Sequence, residues 1–139
     1  GPAMQVLLYP VVDASAQRPS RDAFADGFLL TKADIAWLER QYLPRAADRE
    51  DARVALLRAD DLSGLPPAYI ATAGFDPLRD EGVAYAEALR KAGVAVALHH
   101  HPELIHGFAN MTAISRTARA AMLELCAEIR MNLVSPDAI

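Results

Sequence analysis

A chain of 139 residues is the size of one domain, and an apolar fraction of 53% suffices to fill a core. The formal charge of -4, with arginines and acids interspersed, leaves no basic patch for a phosphate backbone, so no nucleic-acid partner is expected. No apolar run reaches the about 18 residues of a membrane span and no charged-then-apolar leader opens the chain, so a cytoplasmic protein is expected.

The elements follow in chain order. Gln5 to Tyr9 reads QVLLY, an unbroken apolar run ended by Pro10, as for a strand buried on both faces of a parallel sheet. From Val11 to about Gly27, Asp13, Ser15, Pro19, Ser20 and Asp22 bring turn chemistry, which reads as a surface excursion. Thr31 opens a helix with Asp34 completing a capping box and Ile35, Leu38 and Tyr42 on one stripe, and Pro44 closes it.

Residues 45 to 60, rich in Arg, Asp and Ala, predict another short helix, and the Pro-containing stretch from Asp61 to Pro67 leads into a second buried strand, Ala68 to Ala73. Gly74 to Asp80 is the turn at its C-terminal end. The spacing of Ala84, Tyr85, Ala88 and Leu89 predicts a helix over Glu81 to Lys91, with Gly93 just past its end.

Val94 to His100 is a third strand and Pro102 to Phe108 a loop. A long helix follows from about Thr112 to Leu133, with Ile114, Ala118, Ala121, Leu125 and Ile129 on its inner face, then a frayed tail. The lone Cys126 cannot form an internal disulfide and falls in this apolar pattern, so it is expected to be a buried structural thiol. The fold class is therefore α/β, with about three parallel strands and crossover helices.

In such sheets ligands gather beyond the carboxyl ends of the strands, where loops converge above a rigid floor. Asp76 follows the second strand there and His106 the third. A carboxylate and an imidazole on neighbouring loops can form the acid and base half of a catalytic triad, in the order that α/β-hydrolases use. The plainer reading is a turn Asp that caps the following helix and a loop His that only packs. Arg79, Asp80 and Glu81 either hold the Asp76 loop through ion pairs or form a solvated helix start. His99 and His101 share one strand face, but two ligands do not make a metal site, and none is expected.

Tyr9-Pro10, Leu29-Leu30-Thr31 with Trp37 and Tyr42, the run from Ala59 to Pro67, the run from Ala73 to Gly82, and Ile105-His-Gly-Phe108 together resemble the C-terminal region of the hormone-sensitive-lipase-like carboxylesterases. The resemblance implies a partial α/β-hydrolase fold, residues 1–139 being the C-terminal part of one domain and residues 11–60 a cap-like helical excursion within it. It implies Asp76 as triad acid and His106 as triad base, a small-molecule ester substrate, and no cofactor. It places Phe28, Leu29, Trp37, Ile105 and Phe108 at the substrate, although Phe28, Leu29 and Trp37 could equally be ordinary packing between cap and core. Glu103 stands where the family usually has Gly after Pro, so the backbone near His106 is expected to turn differently.

Acyl transfer on this scaffold also needs a G-x-S-x-G elbow and an HGGG-type oxyanion loop. Neither occurs: Ser15, Ser20, Ser63, Ser115 and Ser135 all lack the flanking glycines. The family carries both motifs before the strand that begins near Gln5, so the chain is expected to be inactive alone. The open edge of strand 5–9 is expected to take a missing N-terminal half or a second copy of the chain. The alternative is a non-catalytic binding or assembly module on a half-hydrolase scaffold.

Overall fold

Eight residues, Ala68–Phe75, form the strand on which the rest of the chain is arranged in the computed structural model, which describes residues 1–133. This central strand, β2, lies between β1 (Gln5–Leu8) and β3 (Val96–Ile105), and both pairings are parallel. Parallel neighbours must be joined by a crossover connection, and both crossovers here pack on one face of the sheet. α1 (Pro19–Ala23), α2 (Lys32–Tyr42) and two 3-10 turns, Ala46–Glu50 and Leu56–Arg58, connect β1 to β2. α3 (Arg79–Lys91) connects β2 to β3, and a 3-10 turn, Phe108–Met111, leads to α4 (Arg116–Leu133).

Alternate side chains of β2 feed two cores, as the period of two in a strand requires. Tyr69, Ala71 and Ala73 pack with Leu104, Phe108, Ala118, Ala121 and Leu125 beneath α4. Ala68 and Ile70 pack with Val12, Tyr85, Ala86, Leu89 and Val94 beneath α3. Each wholly buried leucine or isoleucine in these clusters contributes roughly 1.5–3 kcal/mol of transfer free energy.

The three predicted strands and the helices predicted from Thr31, Glu81 and Thr112 are present, with shifted bounds. Thr31 caps α2 by accepting from the Asp34 N–H at 3.0 Å while the Asp34 carboxylate accepts from the Thr31 N–H, the capping box that the sequence spells. α4 starts at Arg116, and Ile114, expected on its inner face, is 86% exposed in the turn before it. Cys126 is exposed on the outer side of α4 and is not the buried thiol that the apolar pattern suggested. Residues 45–60 form the two 3-10 turns instead of one helix, and the frayed tail lies outside the described residues.

β1 is less enclosed than its unbroken apolar run predicts: Val6 is 39% exposed, and among the described residues only β2 pairs with it. α1 is an element within what the sequence reads as a surface excursion, and it buries Ser20 and Arg21. β3 runs five residues beyond His100, through the segment expected to be a loop. Pro102 has no N–H to give a ladder, and it is accommodated where the register between β2 and β3 breaks.

Candidate active site

The register break brings two side chains together. From Ala68↔Val96 to Ala73↔His101 the strands pair at a constant offset of 28 residues, and at Phe75↔Ile105 the offset has become 30. Three residues of β3, Pro102 to Leu104, therefore lie opposite the single Gly74 of β2. Gly74 is required there, because a Cβ would sit 2.1 Å from the Pro102 carbonyl oxygen. Without the break Asp76 would come level with Leu104. With it, Asp76 comes level with His106, and the His106 Nδ1 and Asp76 Oδ2 are 3.0 Å apart.

Asp76 is fully buried and its other oxygen, Oδ1, accepts the Leu78 N–H at 2.8 Å. That bond fixes the carboxylate before the helix begins, so the turn chemistry and the pairing with His106 coexist in one residue. His106 is partly exposed and is followed by Gly107, whose φ of +76° turns the chain sharply away. The Tyr9 ring lies 4.5 Å from the His106 ring and meets Phe108 edge-on at 5.3 Å. Tyr9 holds a φ of +40°, a left-handed conformation uncommon for an aromatic residue, and burial raises its phenol above the usual range.

His106 and Tyr9 open onto a cleft of about 660 Å³. Its far wall comes from α2, through Ile35, Leu38, Tyr42 and Leu43, with Val54 and Leu56 beyond. The stripe predicted from the sequence is thus the cleft-facing one, which explains why Leu38 and Tyr42 are exposed although apolar. The arrangement offers a base on a rigid sheet end facing an apolar trough.

The other residues predicted to meet substrate are placed differently. Phe28 stacks on Phe75 at 5.2 Å, Trp37 is 55% exposed, and neither lines the cleft. Phe108 is buried in the core beneath Tyr9, and Ile105 continues β3 opposite Phe75, leaving Leu29 close to Gly107. Leu29 has a φ of +74°, so its backbone is strained where it approaches the histidine loop. Sequence reasoning gave Tyr9 no role at the histidine because it was read as the last residue of a buried strand; instead the strand ends at Leu8, and Tyr9 holds a positive φ with its ring beside His106.

Arg79 donates to the Gly74 carbonyl at 3.2 Å and pairs with Asp80, holding the turn that carries Asp76. Glu81 instead turns inward to a buried pair with Arg21, and burial pushes it up to about 7 against that guanidinium. His99 stacks on Tyr69 at 4.8 Å and has Glu124 and Glu128 at 3.7 and 3.9 Å, while burial lowers the His101 imidazole below its usual range. Among the described residues no cluster of three or more His, Cys, Asp or Glu is arranged to hold a metal ion, and no helix is long and apolar enough to cross a membrane.

Residues 1–110 match the sequence family described as the alpha/beta hydrolase fold. The chain is 50% identical over 133 residues to the carboxylic ester hydrolase LipN of Mycobacterium tuberculosis, covering 95% of this chain and 35% of that protein. It is 39% identical over 132 residues to an ethyl acetate hydrolase of Pseudomonas putida, covering 95% and 42%. Among solved structures, a thermostable esterase from Pseudomonas putida superposes with a TM-score of 0.90 at 39% identity, covering 96% of this chain and 43% of the other. An ester hydrolase from the metagenome of Lake Arreo, complexed with a bipyridine phosphonate derivative, gives 0.88 at 44%, covering 93% and 41%. The chain thus spans well under half the length of these relatives. Matched over most of its length, and with a parallel sheet that sets Asp76 against His106, the chain belongs to the alpha/beta hydrolase fold family.

Proposed function

We propose that this chain is the C-terminal part of a serine carboxylesterase of the hormone-sensitive-lipase-like type, with Asp76 as triad acid and His106 as base. The observation that carries this reading is the 3.0 Å pairing of His106 Nδ1 with the buried Asp76 at the mouth of an apolar cleft. Engaging Nδ1 leaves Nε2 for the nucleophile, and a buried carboxylate stabilises the imidazolium that forms. Residues 11–60 act as part of the cap, and α2 forms a wall against the apolar portion of the ester.

The nucleophile belongs to a segment that precedes Gly1 in the intact protein. In the reaction the serine oxygen attacks the ester carbonyl carbon while its proton passes to His106. His106 then gives that proton to the departing alkoxide, and water repeats the sequence to release the acid. The chain alone has no group to acylate, and the unpaired edge of β1 receives the upstream strand, or a second copy when that strand is lacking.

The test is hydrolysis of p-nitrophenyl butyrate by the full-length protein. His106→Ala lowers kcat by about 10⁴-fold or more while leaving the fold intact, and the chain of 139 residues alone shows only background turnover. A full-length His106→Ala enzyme of undiminished activity defeats the assignment. Hydrolysis by the chain alone that His106→Ala removes defeats the inactivity claim.

A further inference from the structure

α1 has only five residues, yet it is bonded both to the Asp76 loop and to the wall of the cleft. On one side the Ser20 hydroxyl donates to the Pro77 carbonyl at 2.8 Å, next to Asp76. The Ser20 N–H donates to Asp80 Oδ2 at 2.8 Å and the Asp80 N–H returns to the Ser20 hydroxyl at 3.2 Å. On the other side the next residue, Arg21, is 3% exposed and directs its guanidinium into a junction of three segments. Nη1 donates to Glu39 Oε1 of α2 at 2.9 Å, and Nη2 to Glu81 Oε2 of α3 at 3.3 Å and to the Asp13 carbonyl at 3.4 Å.

Glu39 lies on the cleft side of α2 among Ile35, Leu38, Tyr42 and Leu43, so besides the buried Ile35 the helix that walls the cleft is tied to α1 and α3 through a buried guanidinium. Apolar side chains of similar size would fill this junction without the desolvation that a buried guanidinium and two carboxyl groups suffer. What an apolar filling would not supply is a fixed register, since a planar fork constrains the position and angle of each carboxylate it holds. The side chains that α2 turns into the cleft are long and apolar, and a small displacement of their helix changes how deep the cleft runs.

We propose that Arg21 is a specificity-determining positioning residue: anchored to the Asp76 loop by its neighbour Ser20, it fixes the α2 wall through Glu39 and so sets the acyl length that the cleft accepts. This rests on the ester-hydrolase reading given above. Arg21 does not touch the substrate, and its effect is transmitted through the position of Ile35, Leu38 and Tyr42.

The experiment compares kcat/KM for p-nitrophenyl acetate and octanoate in the full-length protein, for the native enzyme, Arg21→Met and Arg21→Lys. In Arg21→Met the octanoate-to-acetate ratio falls about tenfold, mostly through KM for octanoate, as expected where binding and not chemistry is lost. Arg21→Lys, which keeps the charge but not the fork, restores part of the ratio. If Arg21→Met does not fold, Glu39→Gln, which keeps the size of the side chain, shows a smaller fall in the same direction.

A second readout does not need catalysis. Spin labels at the exposed Ala33 of α2 and Glu87 of α3, in a Cys126→Ser background, report the separation of wall and core. The distance distribution broadens in Arg21→Met or Glu39→Gln. An unchanged ratio with an unchanged distribution overturns the proposal, as does an equal loss of kcat for both esters. Absence of any His106-dependent hydrolysis, with the broadened distribution present, instead overturns the ester-hydrolase reading while leaving the wall anchored by Arg21.

Discussion

Strands β2 and β3, with the turns that end them, are built on different physics from the excursion over residues 11–60. In the first region the backbone is fixed by ladder hydrogen bonds between neighbouring strands and by two apolar clusters that enclose β2 from both faces. In the second, short helices and 3-10 turns are held at buried points by Arg21, Ser20 and Val12, and the exposed ion pairs elsewhere add little. Asp76 and His106 sit on the rigid region, and the apolar wall of the cleft comes from the adaptable one. Such a division lets the wall vary without disturbing a geometry that tolerates little error.

The comparison is sharpened first where the effect is largest. Asp76→Asn in the full-length protein keeps an acceptor for the Leu78 N–H but no longer holds the His106 tautomer or its charge, and kcat falls about 10⁴-fold with the urea midpoint little changed. Next is Gly74→Ala, which drives a methyl group into the Pro102 carbonyl. Overpacking against backbone destabilises by about 3 kcal/mol, read from urea unfolding. It also spoils the alignment of Asp76 with His106, so activity falls more steeply than stability does.

A third test acts at the boundary between the two regions. Burial moves Glu81 from 4.5 to about 7 although Arg21 opposes the shift. Between those values the folded state holds a proton that the unfolded state has lost, so stability falls as pH rises through that window and levels off above it. Glu81→Gln removes this share of the pH dependence, seen as closer urea midpoints at about pH 5 and about pH 7.5 than in the native chain. The smallest effect belongs to the excursion: Arg45→Gln removes an exposed pair with Asp48 and leaves the unfolding midpoint where it was. A large loss there would show that the excursion depends on its surface charges, and the contrast drawn above would fail.

The rigid region was the more legible of the two in the sequence. Ala68 to Ala73 reads as a buried strand because both its faces are covered, and the spacing over Glu81 to Lys91 gives α3 to within two residues. Asp76 and His106 were found by their place after strands. What alignment they share was not, because a register break leaves no periodic trace: Pro102 to Leu104 reads as loop, and the glycine that makes room for it reads as turn.

The excursion was less legible for another reason. Trp37 and Phe28 were placed at the substrate by resemblance, while the direction in which a side chain of this segment points depends on contacts far along the chain, such as the stacking of Phe28 on Phe75. The phase of α4 was legible at Ala118, Ala121 and Leu125; Ile114 misses the inner face because the helix begins only at Arg116, and Cys126, one residue past Leu125, falls on the exposed side.

The extra residues that β3 carries opposite Gly74 act as a ruler. Between Gly74 and His106 the chain length is not free, because removing one residue from Pro102–Leu104 would turn Ile105 to the opposite face and carry the imidazole away from Asp76. Surface turns such as Asp61 to Gly64 carry no such restriction. Natural insertions and deletions should therefore be common in the second place and confined to compensated changes in the first. Anyone exchanging this part of the sheet with that of another member of the fold family has to move Gly74–Asp76 and Pro102–His106 together, since neither segment alone carries the measure.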